Sequence, residues 1–335
     1  MTASKPRTSG PPTPRQHTPR LTDHRVAGWR VPAMGTQVEL LAVGAPSGAL
    51  AAARSQLAEL EARWSRFRPN SEISTLNRAA GRPVAVSPET LTVLALAVLG
   101  WQATAGRFDP TVLDALEAAG YDRSLEQLPA DGDGMDSSRP TPGPAPGLAG
   151  IRLDAGAGTV TLSAGTRLDL GGIAKGYTAD LLCARLRAAG AAGVCANVGG
   201  DLRVSGTAPR GGPWAVAVPH PHGGQAATLE LTDGAAATSS PLRRTWHAGS
   251  RPAHHLIDPH TGQPADTGIL QATVVAAEAW RAEVTAKAAF LAGLPDALPL
   301  ATRLGTEALI IDQDGGLHLT AGLQQAAATR QAGTP

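Results

Sequence analysis

From Thr36 to Val43 (TQVELLAV) the chain is short, β-branched and partly alternating, the pattern of a strand with a buried face. The period then lengthens. After a break at Pro46-Ser47-Gly48, with Ser47 placed as an N-cap, Leu50, Ala53, Leu57, Leu60, Trp64 and Phe67 recur at alternating steps of three and four. That spacing predicts an amphipathic helix with its apolar stripe turned inward. Arg68-Pro69-Asn70-Ser71-Glu72-Ile73-Ser74-Thr75-Leu76-Asn77 reads as polar and turn-rich, and Pro83 to Val86 as short and extended. Ser87-Pro88-Glu89 opens a second helix, with Ser as N-cap and Pro at the first helical position, that runs to about Thr104 and stops at Gly106. Leu125 to Gly150, dominated by Pro, Gly, Ser and Asp, reads as a long loop or insertion.

Downstream, Ile151 to Leu170 divides into two or three short strands, and a helix reaches Ala189 before Gly190 halts it. Gly193 to Leu202 is extended, and Trp214–Val218, Thr228–Leu231, Ala235–Ser240 and Leu270–Ala277 read as further strands. Ala279–Ala292 is helical, and Ala308–Thr320 is a hairpin around Asp312-Gln313-Asp314-Gly315-Gly316. Strands and helices mix without strict alternation, so the fold class is α+β, with mixed or antiparallel sheets and packed helices. The organisation is one domain over 29–322, with a Pro/Gly-rich insertion at 124–150, a disordered tail at 1–28 and a flexible tail at 323–335.

Composition removes several function classes. With 29 basic and 28 acidic residues the net charge is +1, so no global electrostatic attraction to nucleic acid or anionic membrane arises. Aromatics make up 3% and interleave with no basic stretch, which argues against a stacking platform for single strands. Cys183 and Cys195, outside any CxxC, read as packing residues. The first residues show no apolar core of a secretory signal and no lipobox-like cysteine, and the apolar run Leu91–Leu99 is too short for the ~20 residues of a membrane span. The expectation is a cytoplasmic protein without a membrane span.

The densest chemistry lies in Leu168-Asp169-Leu170-Gly171-Gly172-Ile173-Ala174-Lys175-Gly176-Tyr177-Thr178-Ala179-Asp180. A strand end, two glycines and a helix start with a lysine inside it form a cradle for an anion: backbone N–H groups can approach, and the helix dipole favours negative charge. Neither GxxxxGK[ST] nor GxGxxG is present. The acid at Asp169 points to a ligand with polar groups as well as phosphate.

Other stretches read two ways on spacing alone. His254-His255-Leu256-Ile257-Asp258-Pro259-His260-Thr261-Gly262 offers either a base and phosphate contacts from His255 and Asp258, or an Asp-Pro turn with surface histidines. Glu283 and Lys287, at i and i+4 of a helix, read first as a solvated ion pair. Asp109 in Gly106-Arg107-Phe108-Asp109-Pro110-Thr111 reads as a cap or turn acid, and Asn197-Val198-Gly199-Gly200-Asp201 as a tight bend. Met34-Gly35-Thr36 says little by itself.

In order along the chain, Met34-Gly35-Thr36, Ser71–Asn77, Phe108–Thr111, Asp169–Asp180, Asn197–Asp201, Thr238-Ser239 and His255–Gly262 resemble the ApbE family of FAD:protein FMN transferases. The resemblance spans about Val31 to Leu319. It implies an α+β fold that binds FAD as substrate and moves its FMN half onto a threonine, sometimes a serine, of an acceptor flavoprotein, with AMP leaving. It implies that Met34 and Phe67 lie against the flavin, Phe67 standing where many relatives have Tyr. Arg107, Phe108 and Asp109 would line the nucleotide site, Thr238 would join the cofactor-binding set, Asp169 would hold a polar group of FAD, and Lys175 would reach its phosphates. His255 and Asp258 would sit at the phosphoryl centre, with the base left open between them.

Family members commonly bind Mg²⁺ through the backbone at the position of Gly172 and through an Asp and a Thr one helical turn apart. Those two positions read here as Glu283 and Lys287. Glu283 can still ligate; a protonated Lys287 cannot, and its ammonium could instead contact the pyrophosphate in place of part of the metal. Ser240, where relatives often have Gly, is a smaller departure. Two other readings use the same site: an FAD pyrophosphatase giving FMN and AMP, and a non-catalytic FAD-binding protein.

Overall fold

A computed structural model describes residues 25–124, 127–128, 143–248 and 251–332. Strands β1 (Val26–Ala33) and β2 (Thr36–Val43) form a hairpin through Met34-Gly35, whose φ values of 53° and 64° are both left-handed, as a two-residue type I′ turn requires. Helix α1 (Ala49–Trp64) follows, burying Ala53, Leu57, Leu60 and Trp64 of the expected stripe; Phe67 falls past its end. Its N-cap is Gly48, at φ 83° with no side-chain bond, and not Ser47. The polar stretch after it is not all turn. Ser71 accepts a hydrogen bond from the Ser74 N–H and starts α2 (Glu72–Arg78), which buries Ile73 and Leu76.

After β3 (Val84–Ala85), helix α3 (Pro88–Ala103) begins at the Ser87 cap and Pro88 as the sequence predicts. Then come α4 (Leu113–Ala118), β4 (Arg152–Asp154), β5 (Thr159–Thr161), α5 (Ala174–Ala188), β6 (Gly193–Val198), β7 (Asp201–Gly206), β8 (Trp214–Pro219), β9 (Gln225–Leu231) and β10 (Asp233–Ser239). The short pairs β11 (Thr245–Ala248) with β12 (Arg251–His254) and β13 (Ile257–Asp258) with β14 (Gln263–Pro264) precede β15 (Ile269–Ala276). The chain closes with α6 (Ala279–Ala292), α7 (Leu294–Arg303), β16 (Glu307–Asp312), β17 (Leu317–Leu319) and α8 (Ala321–Ala332).

The frame is an eight-stranded antiparallel sheet in the order β1-β2-β6-β7-β10-β15-β16-β17. Alternation sends successive side chains to opposite faces. Ala235, Ala237, Ala308 and Ile310 enter the main core with α1, α5 and α6, while Ala236, Leu309 and Ile311 enter a second core beneath the β8–β9 hairpin. The small residues of β10 let α6 lie close on the sheet, which fixes the helix carrying Glu283 and Lys287. Cys183 is buried in α5 and Cys195 half-buried in β6; both thiols are free, and burial pushes them up to about 11 and about 12.

The expected boundaries change at three places. Residues 26–28, assigned above to the leading tail, begin β1, and residues 1–24 lie outside the described residues. The expected flexible tail from 323 is helical in α8 as far as Ala332. Of the 124–150 insertion, 125–126 and 129–142 lie outside the described residues, but its returning limb is built into the fold. Ala145 N–H donates to Pro259 O (2.7 Å), Gly147 N–H donates to Thr111 Oγ1 (2.9 Å), and Leu148 is buried. Among the described residues no helix is long and apolar enough to cross a membrane.

Candidate active site

The glycine turn before α5 is held from two sides. Asp169 Oδ1 accepts the Gly171 N–H (2.6 Å), and Asp169 Oδ2 lies 2.6 Å from Arg66 Nε. The first N–H of the expected anion cradle is therefore already satisfied by the acid beside it. Arg66, absent from the sequence-derived candidates, lies under the rings of Phe67 and Tyr121, with its Cζ 4.2 and 4.7 Å from their centroids, and donates to Tyr121 O. Tyr121 in turn stacks on Trp246 at 5.1 Å. One cation thus ties the aromatic wall to the carboxylate at the turn.

Helices α5 and α6 meet directly beneath. A Cβ on Gly176 would lie 2.3 Å from Ala279 O, so only glycine permits the crossing. The α6 N-terminus lacks a side-chain cap of its own. Asp180 supplies one from α5, accepting the Ala279 and Trp280 N–H groups at 2.8 and 3.0 Å. Burial pushes Asp180 up to about 6 against those bonds.

This crossing decides what the two lysines do. Lys175 Nζ is bound by the carboxylates of Asp201 and Glu283, whose Oε2 also accepts the Gly176 N–H (2.8 Å). Burial alone would pull Lys175 down; the two carboxylates outweigh it and hold the amine above its ordinary value. Glu283 is pushed up to about 7 by burial and by Asp201, with Lys175 opposing. The expected solvated Glu283–Lys287 pair is thus corrected: Glu283 is buried and bound to Lys175. Lys287 Nζ instead lies over Gly172, where an added Cβ would come within 2.6 Å of it.

Above this floor opens a cavity of about 550 Å³. Met34, Phe67, Phe108, Asp109, Asp169, Gly172, Lys175, His255 and Lys287 of the predicted set line it. Met34 is fixed by its N–H to Glu61 Oε1 (2.7 Å) and by Thr178 Oγ1 donating to its sulfur (3.4 Å). Asp109 is held at the wall by Trp101 Nε1 and by the Thr111 hydroxyl and N–H. His255 follows β12, and its Nδ1 is buried without a hydrogen-bond partner among the described residues. Burial, then the Lys287, Arg244 and Lys175 charges, hold its imidazole well below the ordinary range, so it is neutral at pH 7.

Four predicted residues do not line the cavity. Arg107 pairs with Asp296 at 3.6 Å. Thr238 bonds the Thr273 hydroxyl across the β10–β15 ladder (2.9 Å). Asp258 accepts the His260 N–H (2.9 Å) and so shapes the Asp258–Gly262 turn. Glu283 lies beneath the cavity. Sequence reasoning missed Arg66, Tyr121, Asp201 and Arg244; Asp201 alone had a signal, since it ends the Asn197–Asp201 bend.

The donor set does not fit a magnesium site built on Gly172 and Glu283. Both Glu283 oxygens have N–H or ammonium partners, the neighbouring position is an ammonium, and among the described residues no group of three His, Cys, Asp or Glu converges.

The ApbE family model matches residues 34–310. The FAD:protein FMN transferase of Haemophilus influenzae is 28% identical over 276 residues, covering 78% of this chain and 77% of that protein. The enzyme of the same name from Vibrio cholerae is 29% identical over 233 residues, covering 65% and 66%. Among solved structures, the ApbE protein of Thermotoga maritima superposes with a TM-score of 0.77 at 24% identity, covering 90% of this chain and 99% of that one. The apo Pseudomonas stutzeri flavinyl transferase ApbE gives 0.76 at 24%, covering 91% and 98%. A family match running from the Met34 turn through β10, β15 and α6 to β16 takes in all of the cavity lining except Pro32 and Ala33 of β1, and the chain belongs to the ApbE family.

Proposed function

We propose that this chain transfers the FMN half of FAD to a threonine or serine hydroxyl of an acceptor protein, releasing AMP. The observation that carries the reading is one cavity with an aromatic and thioether wall, a cationic floor at a glycine turn, and a neutral imidazole whose buried Nδ1 has no hydrogen-bond partner among the described residues. The names of its curated relatives support the same reaction.

In this reading the flavin lies against Met34 and Phe67, and the pyrophosphate faces Gly172 and Lys287. The acceptor hydroxyl oxygen forms a bond to the flavin-side phosphorus as the bond from that phosphorus to the bridging oxygen breaks. The hydroxyl proton passes to the His255 imidazole, and AMP leaves with the bridging oxygen. Burial prepares His255 for this by keeping it unprotonated, and the adjacent cations stabilise charge gathering on the phosphoryl oxygens. Asp258 has no place in this scheme. Its carboxylate is spent on the turn that carries the backbone past His255.

The test is incubation with FAD and threonine-bearing peptides, read by mass spectrometry, for the native chain and His255→Ala. A peptide gain of FMN less one water, lost in the variant while FAD still binds, supports the reading. Free FMN without that gain would assign a pyrophosphatase, and unchanged FAD a binding protein.

A further inference from the structure

Five lysines and arginines line the cavity: Arg66, Arg68, Lys175, Arg244 and Lys287. Three are neutralised by carboxylates, Arg66 by Asp169, Arg68 by Glu61 (2.8 Å), and Lys175 by Asp201 and Glu283. Among the described residues the other two form no ion pair. Lys287 Nζ sits against Gly172, and among the described residues Arg244 reaches only Gly35 O, at 3.4 Å. They come from different elements, Lys287 from α6 and Arg244 from the turn before β11, and His255 feels the charge of both. A cavity that pairs three of its cations and leaves two facing the same imidazole is built for a ligand with two negative charges.

Resting on the flavin-transfer reading, we propose that Lys287 and Arg244 together receive the two charges of a nucleotide pyrophosphate, so that binding needs no divalent metal. The donor set agrees: the carboxylate that a metal would need is spent on Lys175 and Gly176. Lys287 fills the space over Gly172, and Arg244, half-buried, lines the same cavity from another element. Lys175, by contrast, is a structural cation and contributes no charge to the ligand.

The test is titration calorimetry on the full chain with ADP, which carries the pyrophosphate without the flavin, and with riboflavin, which carries the flavin without phosphate. ADP binds equally in EDTA and in Mg²⁺. Lys287→Met and Arg244→Gln each weaken ADP about tenfold or more, and leave riboflavin unchanged. ADP binding that appears only with Mg²⁺, or that survives both substitutions, overturns the proposal. Should Lys287→Met fail to fold, Arg244→Gln and the chelator comparison decide it. Metal-free, Lys287-dependent ADP binding without flavin transfer would sink the functional reading and leave this one standing.

Discussion

Lys175 and Lys287 respond oppositely to loss of charge. Lys175→Met leaves Asp201 and Glu283 facing each other with side chains 5% and 4% exposed and no cation between them. Removing one partner of a buried ion pair costs about 3–5 kcal/mol, because the remaining charge loses its compensation. With a urea m-value of ~3 kcal/mol/M for a chain of this size, the midpoint falls by about 1 M or more. Adding Glu283→Gln to Lys175→Met removes one of the facing charges and keeps an acceptor for the Gly176 N–H. The double variant therefore recovers roughly 1–3 kcal/mol. Lys287→Met, which breaks no ion pair among the described residues and puts an apolar chain between Gly172 and Phe108, leaves the midpoint unchanged or raised. Urea unfolding at pH 7.5, followed by tryptophan fluorescence, measures all three. Equal midpoints for Lys175→Met and the native chain, or a larger loss for Lys287→Met, would refute the division of labour between the lysines.

Gly176→Ala drives a methyl into the Ala279 carbonyl and lowers stability by at least about 2 kcal/mol, read as a fall in thermal midpoint; an unshifted midpoint would mean that α5 and α6 do not cross at contact. Asp180 gives the pH dependence. Its folded value of about 6 lies above the unfolded 3.8, so its stabilising contribution is complete below 3.8 and is lost as pH rises through 6. Native stability relative to Asp180→Asn therefore falls by about 1.4 kcal/mol per pH unit between 4 and 6 and is level above. Paired urea titrations from pH 4.5 to 7.5 check it, and a difference that grows with pH contradicts it.

What could be read in advance followed from signals local in sequence. The Ser87-Pro88 cap, the Ala279–Ala292 helix and the Asp-Gly hairpin near the end each carry their instructions within a few residues, and each is found where it was expected. Short or weakly buried elements escaped. Strand β1 is a sheet edge with mostly exposed side chains, so no alternation marks it off from the Pro- and Thr-rich stretch before it. Helix α2 spans seven residues, too few to show a period. The site was legible as a set of residues but not as a set of partners. Glu283 and Lys287 are one helical turn apart, the usual spacing of an ion pair, yet both lie toward the interior, and a lysine from α5 reaches the glutamate first. Nothing local announces that Arg66 will meet Asp169, or that Lys287 and Arg244 will form no ion pair among the described residues. Those facts depend on which elements the sheet order and the Gly176 crossing bring together.

The most direct measurement of the central claim is a product balance by liquid chromatography and mass spectrometry, from one reaction of FAD with a threonine-bearing acceptor. Flavin transfer predicts one AMP for each acceptor that gains FMN less one water, with no free FMN. AMP accompanied by an equal amount of free FMN and an unmodified acceptor would contradict it.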